Sequence, residues 1–292
     1  MKLGDFDIQV ASDGPFGLDG GSVFGIVPKT LWSKLVPCDE LNRVTLTTDC
    51  MLVRTRTGLV LVECGMGRKY NAKLRDIYKL RDDITLDASL AKLGVKPDDV
   101  SAVVLSHLHL DHAGCATKLV DLALRDKPHD LSDVVPAFPK ARYYVQRGEW
   151  DEATHPNPAT KANYVQESFL PLERDGRLAL LDGDCEPLPG IRVVVTGGHT
   201  DSHQAVIVES AGQGIAYLGD IAPIVASMRP AYNTAFDHHP LDTMRRKAEM
   251  LEMIIRNRWL IWFYHDTQVA AGRLKPGKDF PEIAKCVMAG VA

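Results

Sequence analysis

The stretch Ser106-His107-Leu108-His109-Leu110-Asp111-His112 is the most informative part of this 292-residue chain. It directly follows the apolar run from Val100 to Leu105, which is typical of a buried strand. Three imidazoles and one carboxylate stand within six residues, and they can converge only where the chain turns sharply. Gly114, just beyond, supplies conformational freedom for such a turn. The segment therefore predicts a metal site on a loop at the end of a strand.

The ligand types narrow the kind of metal site. Imidazole and carboxylate together suit zinc and neighbouring divalent ions, because these ions accept nitrogen and oxygen ligands. The segment holds no cysteine, and structural zinc sites are usually closed by thiolates. An open, catalytic site is therefore favoured over a structural one.

Three further histidine and aspartate residues stand at the ends of predicted strands. His199 lies in Gly198-His199-Thr200, downstream of the strand-like run Ile191 to Thr196. Asp220 follows the run Ile215 to Leu218, and His265 follows the run Trp259 to Tyr264. Each of these residues thus has the same local setting as the first segment, at the end of a predicted strand.

With these residues in order, the sequence resembles the metallo-β-lactamase-fold hydrolases, whose mark is His-x-His-x-Asp-His after a strand. The stretches Asp19 to Trp32 and Gly65 to Tyr70 are most similar to the branch that contains the quorum-quenching N-acyl-homoserine lactonases. The resemblance implies a single domain over residues 1–292. It also implies an α/β fold, a four-layer αβ/βα sandwich of two mixed β-sheets flanked by helices, with the site at one edge between the sheets.

The resemblance further implies the roles of the site residues. His107, His109 and His199 would hold one metal ion, Asp111, His112 and His265 the other, and Asp220 would bridge both. Two divalent ions are expected, with zinc first and manganese, iron or cobalt also accepted by these ligands. A hydroxide shared by the ions would be the nucleophile, and Asp111 or Asp220 would accept its proton. The predicted reaction class is metal-assisted hydrolysis.

Two positions depart from the family pattern. Glu63 stands where many relatives have an aspartate, and it is expected to orient a ligand imidazole. Pro223 stands three residues after Asp220, where some lactonases carry a tyrosine that assists the leaving group or the carbonyl. Tyr232 and His203 are candidates for that role, although ordinary packing explains each of them equally well.

The substrate is less well defined by the sequence. An ester-like substrate is expected, with a lactone such as an N-acyl-homoserine lactone first. Phosphotriester, aryl ester and thioester hydrolysis are alternatives on the same fold, and so is a metal-binding sensor without turnover. An apolar hairpin predicted near the mouth could line an acyl groove, or it could be core or a dimer contact; it carries Phe24, Val27, Leu31 and Trp32.

Composition excludes several classes of protein. The 34 Lys and Arg against 38 Asp and Glu give a net charge of −4, without a long basic run that would attract nucleic acid or an anionic membrane. Asp5 and Asp7 interrupt the apolar stretch that a signal peptide needs, so a cytoplasmic protein with a small-molecule substrate is expected. A homodimer is compatible with the apolar segment near the mouth. The six cysteines contain no Cys-x-x-Cys and predict reduced, mostly buried thiols, with Cys64 and Cys115 nearest to the chemistry.

The remaining pattern predicts mostly strands with interspersed helices. Strands are expected at 6–10, 44–48, 51–56, 59–62, 141–146 and 205–209, and helices at 87–93 and 241–257. The segments 116–139 and 154–171 are richer in Pro, Asp and Lys and are expected to be surface excursions or lids.

Overall fold

The computed structural model describes residues 1–289, which form two seven-stranded mixed sheets. In spatial order, the first sheet consists of Lys2–Leu3, Phe6–Ser12, Asp49–Arg54, Leu59–Val62, Val100–Val104, Arg142–Gln146 and Leu178–Leu181. The second sheet consists of Cys185–Leu188, Ile191–Val195, Gln204–Ser210, Gln213–Tyr217, Leu260–Trp262, Val269–Lys275 and Glu282–Ala289. Two small two-stranded sheets pair Phe16–Asp19 with Arg43–Leu46 and Thr117–Leu119 with Val134–Pro136.

Helices connect and cover the sheets. The α-helices are Gly20–Phe24, Lys29–Trp32, Ala72–Ile77, Leu86–Lys92, Leu110–Ala113, Arg147–Thr154, Leu170–Arg174 and Pro240–Arg256. Short 3-10 helices lie at Pro97–Asp99, Gly114–Ala116, Leu122–Leu124, Leu131–Asp133, Gln166–Ser168, Gly219–Ile221 and Val225–Met228. Within residues 1–289, none of these helices is long and apolar enough to cross a membrane.

The alternation of side chains along Gln204–Ser210 shows how the layers are stacked. Val206 and Val208 join the core that also contains first-sheet residues such as Val103, so this face of the strand points between the two sheets. Ala205 and Ile207 point the other way and pack with Met250, Leu251 and Ile254 of the long helix. Because successive strand residues face opposite sides, an apolar run buried on both faces needs a layer on each side. The predicted arrangement of two mixed sheets flanked by helices is confirmed.

Sheet register brings the predicted ligand loops to one edge. Leu59–Val62 pairs in parallel with Val100–Val104, so the loops that follow these two strands leave the first sheet side by side. Gln213–Tyr217 pairs in parallel with Leu260–Trp262, which places the loops of Asp220 and His265 together on the second sheet. Loops beyond the carboxyl ends of adjacent parallel strands are the usual location of a functional site.

Most predicted elements lie within one or two residues of the observed ones, but two predictions need correction. The pattern Asp19-Gly20-Gly21 between apolar stretches predicts a turn or hairpin, but it begins a helix: the Asp19 side chain accepts a hydrogen bond from the backbone of Ser22 and caps the helix Gly20–Phe24. Gly114 does not adopt a backbone conformation that requires glycine, because its φ is −58°. A Cβ atom there would instead collide with the carbonyl of Met66, so the glycine is needed for a close approach of two loops.

The two predicted excursions differ from each other. Residues 116–139 contain the small sheet Thr117–Leu119 with Val134–Pro136 and several short turns. Residues 154–171 include Asn163, which reaches the cavity described below, so this segment covers the site in part. Trp150 and Phe169 pack edge to face with their ring centroids 5.6 Å apart and are buried, which supports hydrophobic packing for both.

Candidate metal centre

The structure brings the seven predicted ligand side chains into one cluster at the edge between the two sheets. His199 Nε2 lies 3.1 Å from His109 Nδ1 and 3.5 Å from Asp220 Oδ2. His265 Nε2 lies 3.2 Å from His112 Nε2 and 3.5 Å from Asp111 Oδ2. We call the seven residues the ligand cluster; they are His107, His109, Asp111, His112, His199, Asp220 and His265.

The cluster divides into overlapping groups that each have the composition of a metal site. One group joins His107, His109 and His199, whose potential ligand atoms lie within 4.8 Å of one another. A second joins Asp111, His112 and His265 within the same limit. Asp220 lies between them: its Oδ1 is 3.3 Å from His112 Nε2, and it also forms a group with His107 and His112.

Unsatisfied polar atoms test whether this donor set fits metal ions. Nε2 of His107, Nε2 of His109 and Oδ1 of Asp220 are buried and have no hydrogen-bond partner among the described residues. Leaving such atoms unpaired costs free energy, so a native structure needs a reason for them. Imidazole nitrogens and carboxylate oxygens are good ligands for divalent ions. The residues present therefore fit a pair of divalent ions.

Two imidazoles of the ligand cluster that follow a first-sheet strand are oriented by neighbouring side chains. Ser106 Oγ lies 2.9 Å from His107 Nδ1. Glu63 Oε2 lies 3.2 Å from His112 Nδ1, while its Oε1 accepts a hydrogen bond from the backbone of Ser106 at 2.7 Å. Glu63 has a φ of 69°, uncommon for a residue with a side chain. The glutamate thus lies where the sequence predicted an orienting carboxylate.

The second sheet orients its imidazoles through groups that sequence reasoning missed. Asp237 Oδ1 lies 2.8 Å from His199 Nδ1, and the side chain of Asp237 is fully buried. The backbone carbonyl of Thr47 lies 2.7 Å from His265 Nδ1. The only signal for Asp237 was its place just before His238 and His239 in a polar loop, and a backbone carbonyl leaves no signal in a sequence.

Glu149 links the two loops that carry most of the histidines. It lies on the helix Arg147–Thr154 and is fully buried. Its Oε1 accepts a hydrogen bond from the backbone of Leu108 at 2.9 Å, and its Oε2 accepts one from the Thr200 hydroxyl. Burial raises the pKa of Glu149 to about 7, against the effect of these hydrogen bonds. Nothing in the local sequence marked this residue.

The pKa values of the histidines in the ligand cluster are shifted in different directions. Burial, together with the neighbouring imidazoles, holds the pKa values of His107 and His109 well below their usual range. Burial alone would lower the pKa of His112 as well, but the carboxylates of Asp220, Asp111 and Glu63 outweigh it and raise that pKa. Neutral imidazoles and ionised carboxylates are the forms that bind divalent ions.

A cavity of about 640 Å³, its open mouth included, lies over the ligand cluster. Its floor includes His109, Asp111, His199, Asp220 and His265. None of the described residues that line it is a lysine or an arginine. We call its hydrophobic side the apolar wall, which consists of Phe16, Leu18, Val23, Leu46, Pro223, Ile224 and Phe236.

The two candidates for the missing tyrosine role do not reach the cavity. His203 is buried, its Nδ1 lies 2.6 Å from Thr196 Oγ1, and its Nε2 accepts a hydrogen bond from the backbone of Asp220 at 3.1 Å. It therefore positions the loop of Asp220 and is not free to contact a substrate. Tyr232 packs edge to face on Phe24 and is not among the lining residues.

The predicted apolar hairpin also belongs to the core. Phe24 stacks on Trp32 with ring centroids 5.0 Å apart, and both are buried together with Val27. Leu31 is half exposed and lies outside the cavity lining. Val23 is the residue of the helix Gly20–Phe24 that reaches the cavity.

The cysteines nearest the chemistry are not nucleophile candidates. Burial raises the pKa values of the Cys64 and Cys115 thiols well above the usual range. All six cysteines are free, as predicted, but the prediction that most are buried is wrong, since only Cys50 and Cys64 are buried. A thiol that stays protonated is a weak nucleophile and a poor metal ligand.

Comparison with known proteins agrees with the site. A model of the metallo-beta-lactamase superfamily matches residues 43–123 and 134–254, about two thirds of the chain. An N-acyl homoserine lactonase of Bacillus cereus is 26% identical over 263 residues, 86% of this chain and 90% of that protein. The lactonase AiiA of Bacillus thuringiensis subsp. kurstaki is 28% identical over 260 residues, with the same two coverages.

Solved structures share the complete fold. A probable metal-dependent hydrolase from Staphylococcus aureus aligns over 99% of this chain and 100% of its own, with a TM-score of 0.87 and 29% identity. The dizinc quorum-quenching lactonase AidC aligns over 97% of this chain and 95% of its own, with a TM-score of 0.75 and 19% identity, which supports the fold alone. Together with the family match, this confirms the resemblance on which the sequence analysis relied: the chain is a hydrolase of the metallo-beta-lactamase superfamily.

Proposed function

We propose that this protein is a dinuclear metal-dependent hydrolase of neutral ester-like substrates, with N-acyl-homoserine lactones first. The lactonases to which the chain is similar hydrolyse this class by name, and their similarity extends over most of the chain. The largely apolar cavity over the ligand cluster, with no lysine or arginine in its described lining, is the observation that carries the proposal. An anionic thioester or phosphate substrate would call for cations in the lining, and the described lining has none.

Each member of the ligand cluster has a place in this proposal. His107, His109 and His199 hold one ion, Asp111, His112 and His265 hold the other, and Asp220 bridges them. Zinc is the first expectation, because five histidines and two carboxylates at short mutual distances suit it well. When bound, the ions would polarise the scissile carbonyl and lower the pKa of a water molecule so that it can attack.

The protein's own groups then handle protons and orientation. Asp111 and Asp220 are the carboxylates at the cavity floor, and either can accept the proton of the attacking water. Glu63 and Asp237 keep the imidazoles of His112 and His199 turned toward the cluster. The apolar wall binds the acyl chain and excludes water from the reacting carbonyl.

A substrate screen tests the proposal. The protein, loaded with zinc, manganese, iron or cobalt in turn, is assayed on N-acyl-homoserine lactones of several chain lengths, an aryl ester, a thioester and a phosphotriester. We expect the lactones to be the best substrates, with turnover abolished by a chelator and restored by metal. Preference for the phosphotriester or thioester would replace the lactone assignment. The absence of turnover on every substrate, with two ions bound, would point to a metal-binding sensor.

A further inference from the structure

Most polar side chains in the cavity are already engaged, and two are not. The imidazoles and carboxylates of the lining belong to the ligand cluster, and Thr234 donates its hydroxyl hydrogen to Asp237 Oδ1 at 2.8 Å. The side chains of Tyr78 and Asn163 also line the cavity, but neither forms a hydrogen bond to any part of the chain that the structure describes. In a largely apolar cavity, such unpaired polar groups are the ones that orient a ligand.

Tyr78 is held in place by its backbone. It follows the helix Ala72–Ile77, donates its amide hydrogen to the carbonyl of Leu74 at 3.0 Å, and accepts at its own carbonyl from Gly17 at 2.7 Å. Its ring meets that of Tyr70 at a tilt of 57° with centroids 6.5 Å apart. The ring is thus fixed at the cavity while its hydroxyl remains free to bind a substrate.

Hydrolysis of a lactone is aided by a hydrogen-bond donor beside the departing oxygen, and the ligand cluster does not supply one. The oxygen of water forms the new bond to the carbonyl carbon, the bond to the ring oxygen breaks, and the departing oxygen takes one of the water's protons. An alkyl oxygen is a poor leaving group, so a donor beside it lowers the barrier. Pro223 lines the cavity three positions after Asp220, and a proline has no N–H or O–H to donate there.

We propose that the Tyr78 hydroxyl donates a hydrogen bond to the departing alcohol oxygen of the substrate, an assignment that rests on the proposed function. Tyr78 keeps its own proton throughout and stabilises the charge that develops on that oxygen. Burial and the nearby carboxylate of Asp111 raise the pKa of Tyr78, which keeps the hydroxyl in its donor form at neutral pH. Asn163 is the rival donor, but a carboxamide N–H is weaker than a phenolic O–H.

Leaving-group dependence distinguishes this role from a structural one. Tyr78→Phe removes only the hydroxyl, and Tyr144→Phe is the matched control, because Tyr144 is half-buried on the strand Arg142–Gln146 and lies outside the cavity lining. Wild type and both variants are assayed on an N-acyl-homoserine lactone, phenyl acetate and 4-nitrophenyl acetate. We expect Tyr78→Phe to lower kcat on the lactone about 100-fold, the typical cost of losing one such donor. The loss should be smaller on phenyl acetate and nearly absent on 4-nitrophenyl acetate, with metal content unchanged.

Several results would overturn the assignment. Equal losses on all three substrates, or no loss on the lactone, would exclude a contact with the departing oxygen. A leaving-group-dependent loss in Asn163→Leu but not in Tyr78→Phe would move the role to Asn163. If the wild type hydrolyses both acetates and no lactone, the proposed substrate is wrong, while the two acetates still test Tyr78. If it hydrolyses nothing, both proposals fail.

Discussion

The ligand cluster and the apolar wall enclose the same cavity, yet they are built in different ways. Four of the cluster's imidazoles have their outer nitrogen held by a group from the surrounding structure, at distances of 2.7 to 3.2 Å. The apolar wall has no such directional contacts: it combines side chains from the small sheet Phe16–Asp19 with Arg43–Leu46, from the helix Gly20–Phe24 and from residues 223–236. In the proposed function, the chemistry therefore depends on a braced set of polar residues, and substrate choice depends on packed hydrophobic ones.

The bracing is expected to matter because metal ligands tolerate little misplacement. A ligand that can rotate away loses affinity for the ion, whereas an apolar wall can repack around a substrate at modest cost. Substitutions in the two regions should therefore separate metal binding from substrate preference.

The largest effect is expected from Asp220, which lies between the two halves of the cluster. Asp220→Ala removes the carboxylate shared by both groups, and we expect metal content to fall from two ions to one or fewer. Hydrolysis should fall by roughly 10³-fold or more, since the loss of a correctly held ion costs several kcal/mol of transition-state stabilisation. Metal analysis by mass spectrometry and kcat/KM measure the two effects. Full turnover with two ions bound would contradict the ligand assignment.

An intermediate effect is expected from the groups that brace the imidazoles. Glu63→Gln and Asp237→Ala leave every ligand in place but weaken the contacts to His112 and His199, respectively. We expect each to weaken metal binding by about 10- to 100-fold, the usual cost of losing such a partner. Asp98→Ala is the control, because Asp98 is exposed and its one ion pair within residues 1–289 is with Lys140. Competition with a chromophoric chelator measures affinity; variants that match the control would show that the bracing is dispensable.

A smaller and more selective effect is expected from the apolar wall. Phe236→Ala removes apolar surface from the cavity without touching a ligand. Because each buried methylene contributes about 0.8 kcal/mol, long acyl chains should lose more binding than short ones. We expect KM to rise several-fold for a decanoyl lactone and little for a butanoyl lactone, with metal content unchanged. A uniform fall in kcat across chain lengths would mean that the wall also positions the reacting carbonyl.

The smallest catalytic effect is expected at Lys247, which holds the segment before Thr234 and Phe236. Its Nζ is buried and donates to the carbonyls of Ser227 and Tyr232 and to Asn233 Oδ1 at 2.7 to 3.0 Å. Burial lowers the pKa of Lys247 from 10.5 to about 8. The unfolded chain therefore binds more protons between pH 8 and 10.5, so the free energy of unfolding gains a contribution that rises with pH in this window.

Chemical denaturation across that window tests the point. Lys247→Met keeps the length of the side chain but cannot titrate, so its stability should lack the rise seen in the wild type. Metal content should be the same in both proteins. Identical pH profiles would mean that Lys247 titrates normally in the fold.

Sequence patterns predicted the ligand cluster far better than the apolar wall, for a physical reason. Metal ligands must be specific residue types at strand ends, so the segment from Ser106 to His112 and the later His199, Asp220 and His265 stand out from their surroundings. Apolar wall residues look like any core residue. Phe24 and Trp32 were candidates for the acyl groove but are core, whereas Phe16 and Phe236 line the cavity without any mark in the sequence.

The bracing groups fall between these extremes. Glu63 was predictable because it ends a buried strand and stands at the place of a known carboxylate. Glu149 and Asp237 were not, because their role depends on distant partners: Glu149 reaches Leu108 and Thr200 from another helix. Contacts between segments far apart in sequence depend on the tertiary fold, so local sequence periodicity does not predict them.

Anomalous scattering from a crystal of the zinc-loaded protein tests the central claim most directly. The account predicts two strong zinc peaks, one bounded by His107, His109 and His199 and the other by Asp111, His112 and His265, with Asp220 in contact with both. The described chain offers a second, more exposed group of potential ligands in Glu152, Asp201 and His238, which serves as an internal comparison. A single peak in the ligand cluster, or occupancy at that exposed group alone, would contradict the dinuclear site.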